Sequence, residues 1–323
     1  MLTLPDAWLW DSWYWDDGER FHAFYLKASR ALLDPERRHH RPSVGHAISS
    51  DLTHWTPVAD ALVCADAPAF DDQGIWTGSI VRGDDGRYHL FYTGIDRPSL
   101  SRIQRIGHAV SDDLVAWTRL ADAPVAVADP RWYETDERAG RENWRDPWVF
   151  RDGDGWRMLV TAQSATGEAG QRGCIATAWS ADLSAWTVEP PLAEHVGLNQ
   201  LEVLQTVEVD GHWVVAYCLT GHDVHAPGLP QVTGTWTAPA DGAGGPFHLD
   251  RAEPIAVDGN YAGRIVIDRE GTPNLMAFID FNPRHDLGGS LGNPVPLELT
   301  PRGTLQPAVS AATDWFLGRD SGS

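Results

Sequence analysis

The sequence contains one kind of segment five times, and this periodicity restricts the chain to folds that stack similar units. Each segment has an Asp/Gly-rich turn followed by a strand of alternating large side chains, the pattern of a β-hairpin. Equivalent positions in successive segments are 57 to 68 residues apart, and they are Phe21, Tyr88, Trp156, Trp213 and Pro273. Five such units account for the whole chain of 323 residues.

Units of about four strands bury both faces of their sheets only against neighbouring units, and radial stacking achieves this in β-propellers. A linear solenoid, the alternative, usually has shorter repeats. The 16 tryptophans and 31 glycines exclude a disordered chain and favour short strands joined by tight turns. The sequence therefore predicts an all-β fold, a five-bladed β-propeller in which residues 1–323 form a single domain.

A second repeat has the form Asp-Leu-x-x-Trp and follows a strand at residues 51–55, 113–117 and 182–186. We expect the aspartates to order turns and the tryptophans to fill gaps between blades. These elements are assigned no catalytic role.

The net charge of −20 limits the partners of the chain. Acidic surfaces repel nucleic-acid phosphates and anionic headgroups, so we expect no nucleic acid and no membrane as a partner. The three cysteines lack metal-ligand spacing, and no apolar stretch approaches the roughly 18 residues of a membrane span. Reduced thiols and the lack of a signal-like segment predict a cytoplasmic location, and the oligomeric state stays open.

Three carboxylates begin inner strands of the predicted propeller. The inner strand of each blade lines the central channel, so polar residues that begin these strands converge. Asp11, Asp146 and Glu202 hold such positions in blades one, three and four, among apolar neighbours. A carboxylate in such surroundings is costly unless it is paired or hydrated, so three at equivalent places indicate a functional site.

The chemistry that fits this set is glycoside hydrolysis. It needs one carboxyl group to protonate the leaving oxygen and another to attack the anomeric carbon or to activate water. A third would stabilise charge or bind hydroxyls. Tryptophan rings near the channel offer faces on which sugars stack, or they pack between blades, and they are Trp10, Trp13, Trp76 and Trp148. This chemistry requires no cofactor and no metal ion.

Several motifs resemble those of a known group of enzymes. They are Trp10-Asp11-Ser12-Trp13, Trp76-Thr77-Gly78-Ser79 and Arg145-Asp146-Pro147, followed by Glu202 in blade four. On these residues the chain resembles the five-bladed-propeller glycoside hydrolases of families 32 and 68, the invertase, levanase and levansucrase group. The resemblance spans all five blades and implies a catalytic domain. Because five blades account for the whole sequence, we expect no C-terminal β-sandwich of the kind usual in family 32.

The resemblance implies a role for each matching position. Asp11 would be the nucleophile and Glu202 the general acid and then base, while Asp146 and Arg145 would bind furanose hydroxyls and stabilise the transition state. Because Glu202 must start protonated, we expect its pKa to lie above that of Asp11. The substrate-binding candidates are Trp10, Trp13, Trp76, Ser79, Arg145, Gln200 and Arg264.

The sequence thus favours a retaining hydrolase of β-fructofuranosides, with water or a second sugar as acceptor and a small neutral carbohydrate as substrate. An arabinofuranosidase- or xylosidase-type propeller hydrolase and a non-catalytic carbohydrate-binding propeller are the alternatives. A separation of about 5 Å between the Asp11 and Glu202 carboxyl groups predicts retention, and about 6.5–9.5 Å predicts inversion.

One basic segment interrupts the acidic chain at residues 37–41, where Arg37, Arg38 and Arg41 flank two histidines. Arginine binds phosphate in a bidentate manner, so the segment is a candidate site for a phosphate on a sugar or for an acidic partner surface. The alternative is a solvated loop whose charge is balanced by Asp34 and Glu36.

Overall fold

The computed structural model describes residues 1–135, 140–194, 197–279 and 287–308. Within these ranges the chain forms five antiparallel sheets of four strands each, and the strands of every sheet follow one another in chain order. The first strand of each sheet lies against the first strands of neighbouring sheets. The predicted five-bladed β-propeller and its inner strands are therefore confirmed.

Each blade consists of four consecutive strands. Blade one has β1 (Ala7–Asp16), β2 (Phe21–Ser29), β3 (Ser43–Ser49) and β4 (Thr56–Pro57), and blade two has β5 (Gly74–Arg82), β6 (Tyr88–Ile95), β7 (Gln104–Ser111) and β8 (Thr118–Arg119). Blade three has β9 (Trp144–Asp152), β10 (Gly155–Gln163), β11 (Gly173–Ser180) and β12 (Thr187–Glu194). Blade four has β13 (Glu202–Val209), β14 (His212–Leu219), β15 (Gly234–Ala240) and β16 (Glu253–Pro254), and blade five has β17 (Asn260–Ile267), β18 (Pro273–Ile279), β19 (Val295–Leu299) and β20 (Leu305–Pro307).

Short 3₁₀ helices complete the described structure at Arg30–Leu32, Pro35–His40, Gly221–Asp223 and Leu249–Arg251. The six-residue helix matters for the site, because it crosses from β2 to β3 near the channel. Its first residue is a proline, and the side chain of Asp34 accepts a hydrogen bond from the Glu36 amide at 2.9 Å. Both features stabilise the start of a helix.

The Asp-Leu-x-x-Trp turns have the structural role that the sequence predicts. Asp51 accepts hydrogen bonds from two backbone amides of its own turn, at 2.9 and 2.8 Å. The ring of Trp117 in blade two meets Phe24 of blade one edge-on at 5.7 Å, and Trp186 in blade three meets Phe91 of blade two at 5.3 Å. These rings fill the gaps between neighbouring blades and form part of the hydrophobic core.

The N-terminal residues close the ring of blades. Leu2 exchanges two backbone hydrogen bonds of 3.0 Å with Leu291, next to blade five. The first residues of the chain are thus tied to the last blade.

Each inner strand carries a β-bulge at the same step, where it has one residue more than its partner strand. The unpaired residues are Asp11 in β1, Thr77 in β5, Asp146 and Pro147 in β9, Val203 and Leu204 in β13, and Ala262 and Gly263 in β17. Asp11 and Asp146 have positive φ angles of 25° and 58°, which strain a residue with a side chain. Bulges turn a side chain away from its regular direction and are frequent beside active sites.

Candidate active site

A cavity of about 420 Å³ opens at the end of the channel where the inner strands begin. All three predicted catalytic carboxylates line it, together with Trp10, Trp76 and Arg145. Its size falls in the range of small-molecule sites. The structure therefore brings together residues from all five blades that are up to 268 positions apart, from Trp10 to Phe278.

Asp11 is held at its bulge by a neighbouring blade. The hydroxyl of Thr77 in blade two donates a short hydrogen bond to Asp11 Oδ2. Burial raises the pKa of Asp11 to about 7, and the charges of Asp146 and Glu202 act in the same direction. Burial and the two like charges therefore favour the protonated form of Asp11.

Asp146 is fixed by backbone and hydroxyl donors. Its Oδ2 accepts hydrogen bonds from the amide of Val203 and the hydroxyl of Thr161, both at 3.2 Å, and its own amide donates to Thr93 at 2.8 Å. Burial raises the pKa of Asp146 to about 6, against the opposing effect of the Arg145 charge. These contacts leave Asp146 Oδ1 for a ligand.

Arg145 joins the acids of blades three and four. Its Nη2 donates to Glu202 Oε1 at 2.5 Å and to Gln200 Oε1 at 2.7 Å, and its Nε lies 3.6 Å from Asp146 Oδ2. Burial lowers the pKa of Arg145, but Glu202 and Asp146 more than compensate, so the guanidinium stays charged. Asn143 accepts from Nη1 at 3.1 Å and completes its support.

Glu202 has a second donor that the sequence reasoning missed. The hydroxyl of Tyr261 in blade five donates to Glu202 Oε2 at 2.5 Å. Burial and the neighbouring Glu202 charge raise the pKa of Tyr261 well above its ordinary value, so the phenol remains a neutral donor. Both Glu202 oxygens are thus hydrogen-bonded.

Asp11 and Asp146 share one environment. Burial in the same channel raises the pKa of both carboxyl groups. The expected protonation of Glu202 at the start of the reaction stays a prediction.

The wall on the side of blade one comes from the helix Pro35–His40. The ring of His39 lies edge-on to Trp10 and Trp76, at 6.3 and 6.5 Å, and its carbonyl oxygen accepts from Trp76 Nε1 at 3.0 Å. Burial and the adjacent Arg38 charge lower the pKa of His39 to about 4, so it is neutral at pH 7. Arg38 stacks over Trp10 at 5.7 Å and also lines the cavity.

Four predicted residues lie outside the cavity. Trp13 is 1% exposed and stacks on Phe24, and Ser79 is fully buried and accepts a hydrogen bond from the Val149 amide at 3.1 Å. Both follow a bulge residue by two positions, which puts them about 7 Å deeper along the channel. The expectation that they line the sugar subsite is therefore not met.

The other two are Gln200 and Arg264. Gln200 acts behind the cavity wall by accepting a hydrogen bond from Arg145 at 2.7 Å. Arg264 is buried below the acids and lines a second cavity of about 350 Å³ at the far end of the inner strands, where Trp148 also lies. Neither residue has the direct contact with a ligand in the main cavity that the sequence predicts.

The repeat in the sequence could have identified two residues of the site that the prediction missed, Thr77 and Tyr261. Thr77 and Tyr261 lie beside the bulges of blades two and five, at the step that Asp11, Asp146 and Glu202 hold in the other blades. Comparing all five inner strands at this step points to both. The cavity also includes Gln104, Asn143 and Thr220, for which the sequence offered no signal.

Metal-binding clusters and membrane spans are both missing from the described part of the chain. No group of three or more His, Cys, Asp or Glu side chains in it is placed to hold a metal ion. No helix in it is long and apolar enough to cross a membrane.

Comparison with known proteins gives relatives of one kind. An insoluble β-fructofuranosidase isoenzyme of Arabidopsis thaliana is 30% identical over 189 residues, which cover 56% of this chain and 32% of the relative. A fructan 1-exohydrolase of Bromus pictus is 32% identical over 166 residues, 49% of this chain and 25% of the relative. The chain thus spans about a third or less of the length of these relatives.

Solved structures share the fold at low sequence identity. An inulosucrase from Halalkalicoccus jeotgali bound to kestose superposes with a TM-score of 0.78 at 19% identity, covering 100% of this chain and 94% of its own. A sucrose-6-phosphate hydrolase from Lactobacillus gasseri has a TM-score of 0.72 at 18% identity, covering 94% and 64%.

The family assignment rests on most of the chain. Residues 12–281 match the glycosyl hydrolases family 32 N-terminal domain, and the matched range contains the inner strands of blades two to five and that of blade one from Ser12 onward. The chain therefore belongs to glycosyl hydrolase family 32.

Proposed function

We propose that the protein is a retaining glycoside hydrolase that acts on β-fructofuranosides such as sucrose or small fructo-oligosaccharides, with water or a second sugar as acceptor. The observation that carries this proposal is the convergence of Asp11, Asp146 and Glu202 on one cavity beside the Arg145 guanidinium. Family membership and the named activities of the relatives support it.

In the first step an oxygen of Asp11 attacks the anomeric carbon of the fructosyl unit. The bond from that carbon to the leaving oxygen breaks, and Glu202 transfers its proton to this oxygen. The product is a fructosyl ester of Asp11 and a free alcohol. In the second step Glu202 takes a proton from water, the water oxygen bonds to the anomeric carbon, and the ester bond returns its electron pair to Asp11. A sugar hydroxyl in place of water gives a transfer product.

The neighbouring residues would prepare these steps. The negative charge of Asp146 would stabilise the positive charge that develops on the furanose ring, and its free oxygen would accept a hydroxyl hydrogen bond. Arg145 donates a hydrogen bond to Glu202, and a sugar hydroxyl that accepts from Arg145 would release Glu202 Oε1 to carry the acid proton. Tyr261 would keep the other oxygen in place.

The test is a panel of sucrose, kestose and aryl β-fructofuranosides, arabinofuranosides and xylosides. We expect turnover of fructofuranosides only, and Asp11→Asn should lose at least about 10³-fold in kcat. Asp122→Asn, at an exposed position, is the matched control. Product-anomer NMR should show retention, and inversion or a preference for arabinofuranosides would reject the proposal. Sugar binding by calorimetry without turnover would favour a non-catalytic propeller.

A second candidate substrate is a phosphorylated fructofuranoside, and a specific observation favours it. Arg38 in the cavity wall has a buried Nε without a hydrogen-bond partner, although its Nη1 pairs with Glu36 at 2.9 Å. Arg37 and Arg41 are exposed and donate to backbone carbonyls. If the rate ratio of sucrose 6-phosphate to sucrose does not fall when these three arginines are replaced by alanine, the candidate is rejected.

A further inference from the structure

Arg264 is a buried cation that takes no part in the steps above. It lies on β17, and 1% of its surface is exposed. Its guanidinium donates to the carbonyl oxygens of Val203 at 3.2 Å, Leu204 at 2.5 Å and Gly78 at 3.4 Å, and it lies 5.2 Å from the ring centre of Trp148. Because these partners belong to blades four, two and three, the charge sits on the axis where four blades meet.

This charge has no close counter-ion. Within the described ranges Arg264 forms no ion pair with a carboxylate, and its Nε has no hydrogen-bond partner. A buried charge without a counter-ion is costly, and burial lowers the pKa of Arg264 to about 10. A neutral side chain of similar length can donate to the same carbonyl oxygens, so packing alone does not account for a cation here.

Two carboxyl groups of the site are held by the same backbone segments that Arg264 bonds: Thr77, next to Gly78, donates to Asp11, and the amide of Val203 donates to Asp146. Burial raises the pKa of Asp11 and Asp146, and the Arg264 charge lowers both. The other titratable neighbours of the guanidinium are the phenol of Tyr14 and the thiol of Cys218. Burial raises the pKa of each of these two groups, so both are neutral at pH 7.

The two arginines that line the cavity, Arg38 and Arg145, are paired with other carboxylates, Arg38 with Glu36 at 2.9 Å. Arg145 pairs with Glu202 at 2.5 Å and lies 3.6 Å from Asp146. Asp11 faces two like charges, Asp146 and Glu202, and the cation that opposes their effect on it is Arg264.

We propose that Arg264 is a positioning residue for the reaction: its charge, held on the propeller axis by backbone carbonyls, keeps the Asp11 carboxylate ionised for attack without touching the substrate. The inference rests on the proposed function, in which Asp11 is the nucleophile. It assigns a different role from substrate binding, because Arg264 lies below the cavity that receives the sugar.

The experiment compares kcat/KM against pH for the wild-type protein with the neutral variants Arg264→Gln and Arg264→Met and the charged variant Arg264→Lys, on the best fructofuranoside. The acid limb of this profile, the range in which kcat/KM falls as the pH is lowered, reports the ionisation of Asp11 in the free enzyme. Loss of the Arg264 charge should move this limb to higher pH by about 1 unit, and Arg264→Lys should leave it near the wild-type position.

Gln205→Leu is the matched structural control. Gln205 is buried and neutral, and it ties β13 to β17 by two hydrogen bonds to Ile265, at 2.8 and 2.7 Å. Gln205→Leu should weaken the junction between β13 and β17, which urea unfolding measures as a loss of stability. It should leave the acid limb of the kcat/KM profile at the wild-type pH. A folded neutral variant that keeps the wild-type limb would overturn the inference, as would an Arg264→Lys variant whose limb moves by a full unit.

A readout without turnover separates this inference from the proposed function. Carboxyl ¹³C NMR follows Asp11 directly, once its resonance is assigned by its absence in Asp11→Asn. Titration of Asp11 should shift upward in Arg264→Gln by about the same 1 pH unit, even in a protein that cleaves no furanoside. An unshifted resonance rejects the role of Arg264, whereas absent turnover rejects only the proposed function.

Discussion

Replacing Asp11 with asparagine should abolish the chemistry and yet stabilise the folded protein above pH 7. Burial raises the pKa of the Asp11 carboxyl from 3.8 to about 7. A group whose pKa is higher in the folded state binds more protons there than in the unfolded chain. Stability from this group is therefore present at low pH and is lost as the pH rises from about 4 to about 7.

The magnitude follows from the size of the shift. A difference of about 3 pH units, at about 1.4 kcal/mol for each, gives about 4 kcal/mol of destabilisation above pH 7. Partial exposure of Asp11 reduces this figure, so we expect Asp11→Asn to exceed the wild-type protein by about 2–4 kcal/mol at pH 8. At pH 4 the two proteins should differ by less than about 1 kcal/mol.

Urea unfolding at half-unit steps from pH 4 to pH 8.5 measures this difference. Asp122→Asn, an exposed replacement of the same type, should show a constant offset from the wild-type protein across the range. If the difference for Asp11→Asn is equally constant, or grows toward low pH, the assignment of a raised pKa to Asp11 is refuted. Activity assays on the same samples would show whether the stabilised variant is the inactive one.

The titrating groups and the donors around them lead to three other expected results. In the wild-type protein kcat/KM should fall about tenfold for each pH unit below pH 7, because Asp11 attacks as a carboxylate. A pH-rate profile in which kcat/KM begins to fall only near pH 4 would contradict this. Tyr261→Phe should lower kcat about 10-fold or more with little change in KM, since it removes the donor that fixes Glu202. A tenfold rise in KM with kcat unchanged would instead assign Tyr261 to substrate binding. Burial lowers the pKa of His46 and His108 to about 3, so each histidine should lower folding stability by about 1.4 kcal/mol per unit from pH 6 to pH 4. Urea unfolding of His46→Gln and His108→Gln, each compared with the wild-type protein, isolates this slope, and a difference that is constant with pH would contradict it.

The sequence was sufficient to predict the fold because the repeat places equivalent residues at equivalent steps. Phe21 and Tyr88 both begin the second strand of a blade, and the strand before each is the inner one. Trp117 and Trp186 pack between blades as the turn motif predicts. The single-domain boundaries and the cytoplasmic location stay predictions.

The cavity was predictable only up to the bulges. Alternation along a regular strand puts Asp11 and Trp13 on one face, but the extra residue at Asp11 changes the register and leaves Trp13 in the core. Ser79 and Thr77 show the same effect in blade two. Bulges depend on pairing between strands, which one strand's pattern does not reveal. The contribution of Arg38 and His39 comes from a loop whose path follows from packing.

The shared position of the bulges divides each repeat into two parts with different freedom to change. The tryptophans of the turns pack between blades away from the cavity, and substitutions there disturb the ring. The step at the bulge borders the cavity in each blade, at residues 11, 77, 146, 203 and 262 and their immediate neighbours. A mutant library confined to this ring of five steps would vary the reaction and its substrate one blade at a time, with the scaffold that supports them left intact.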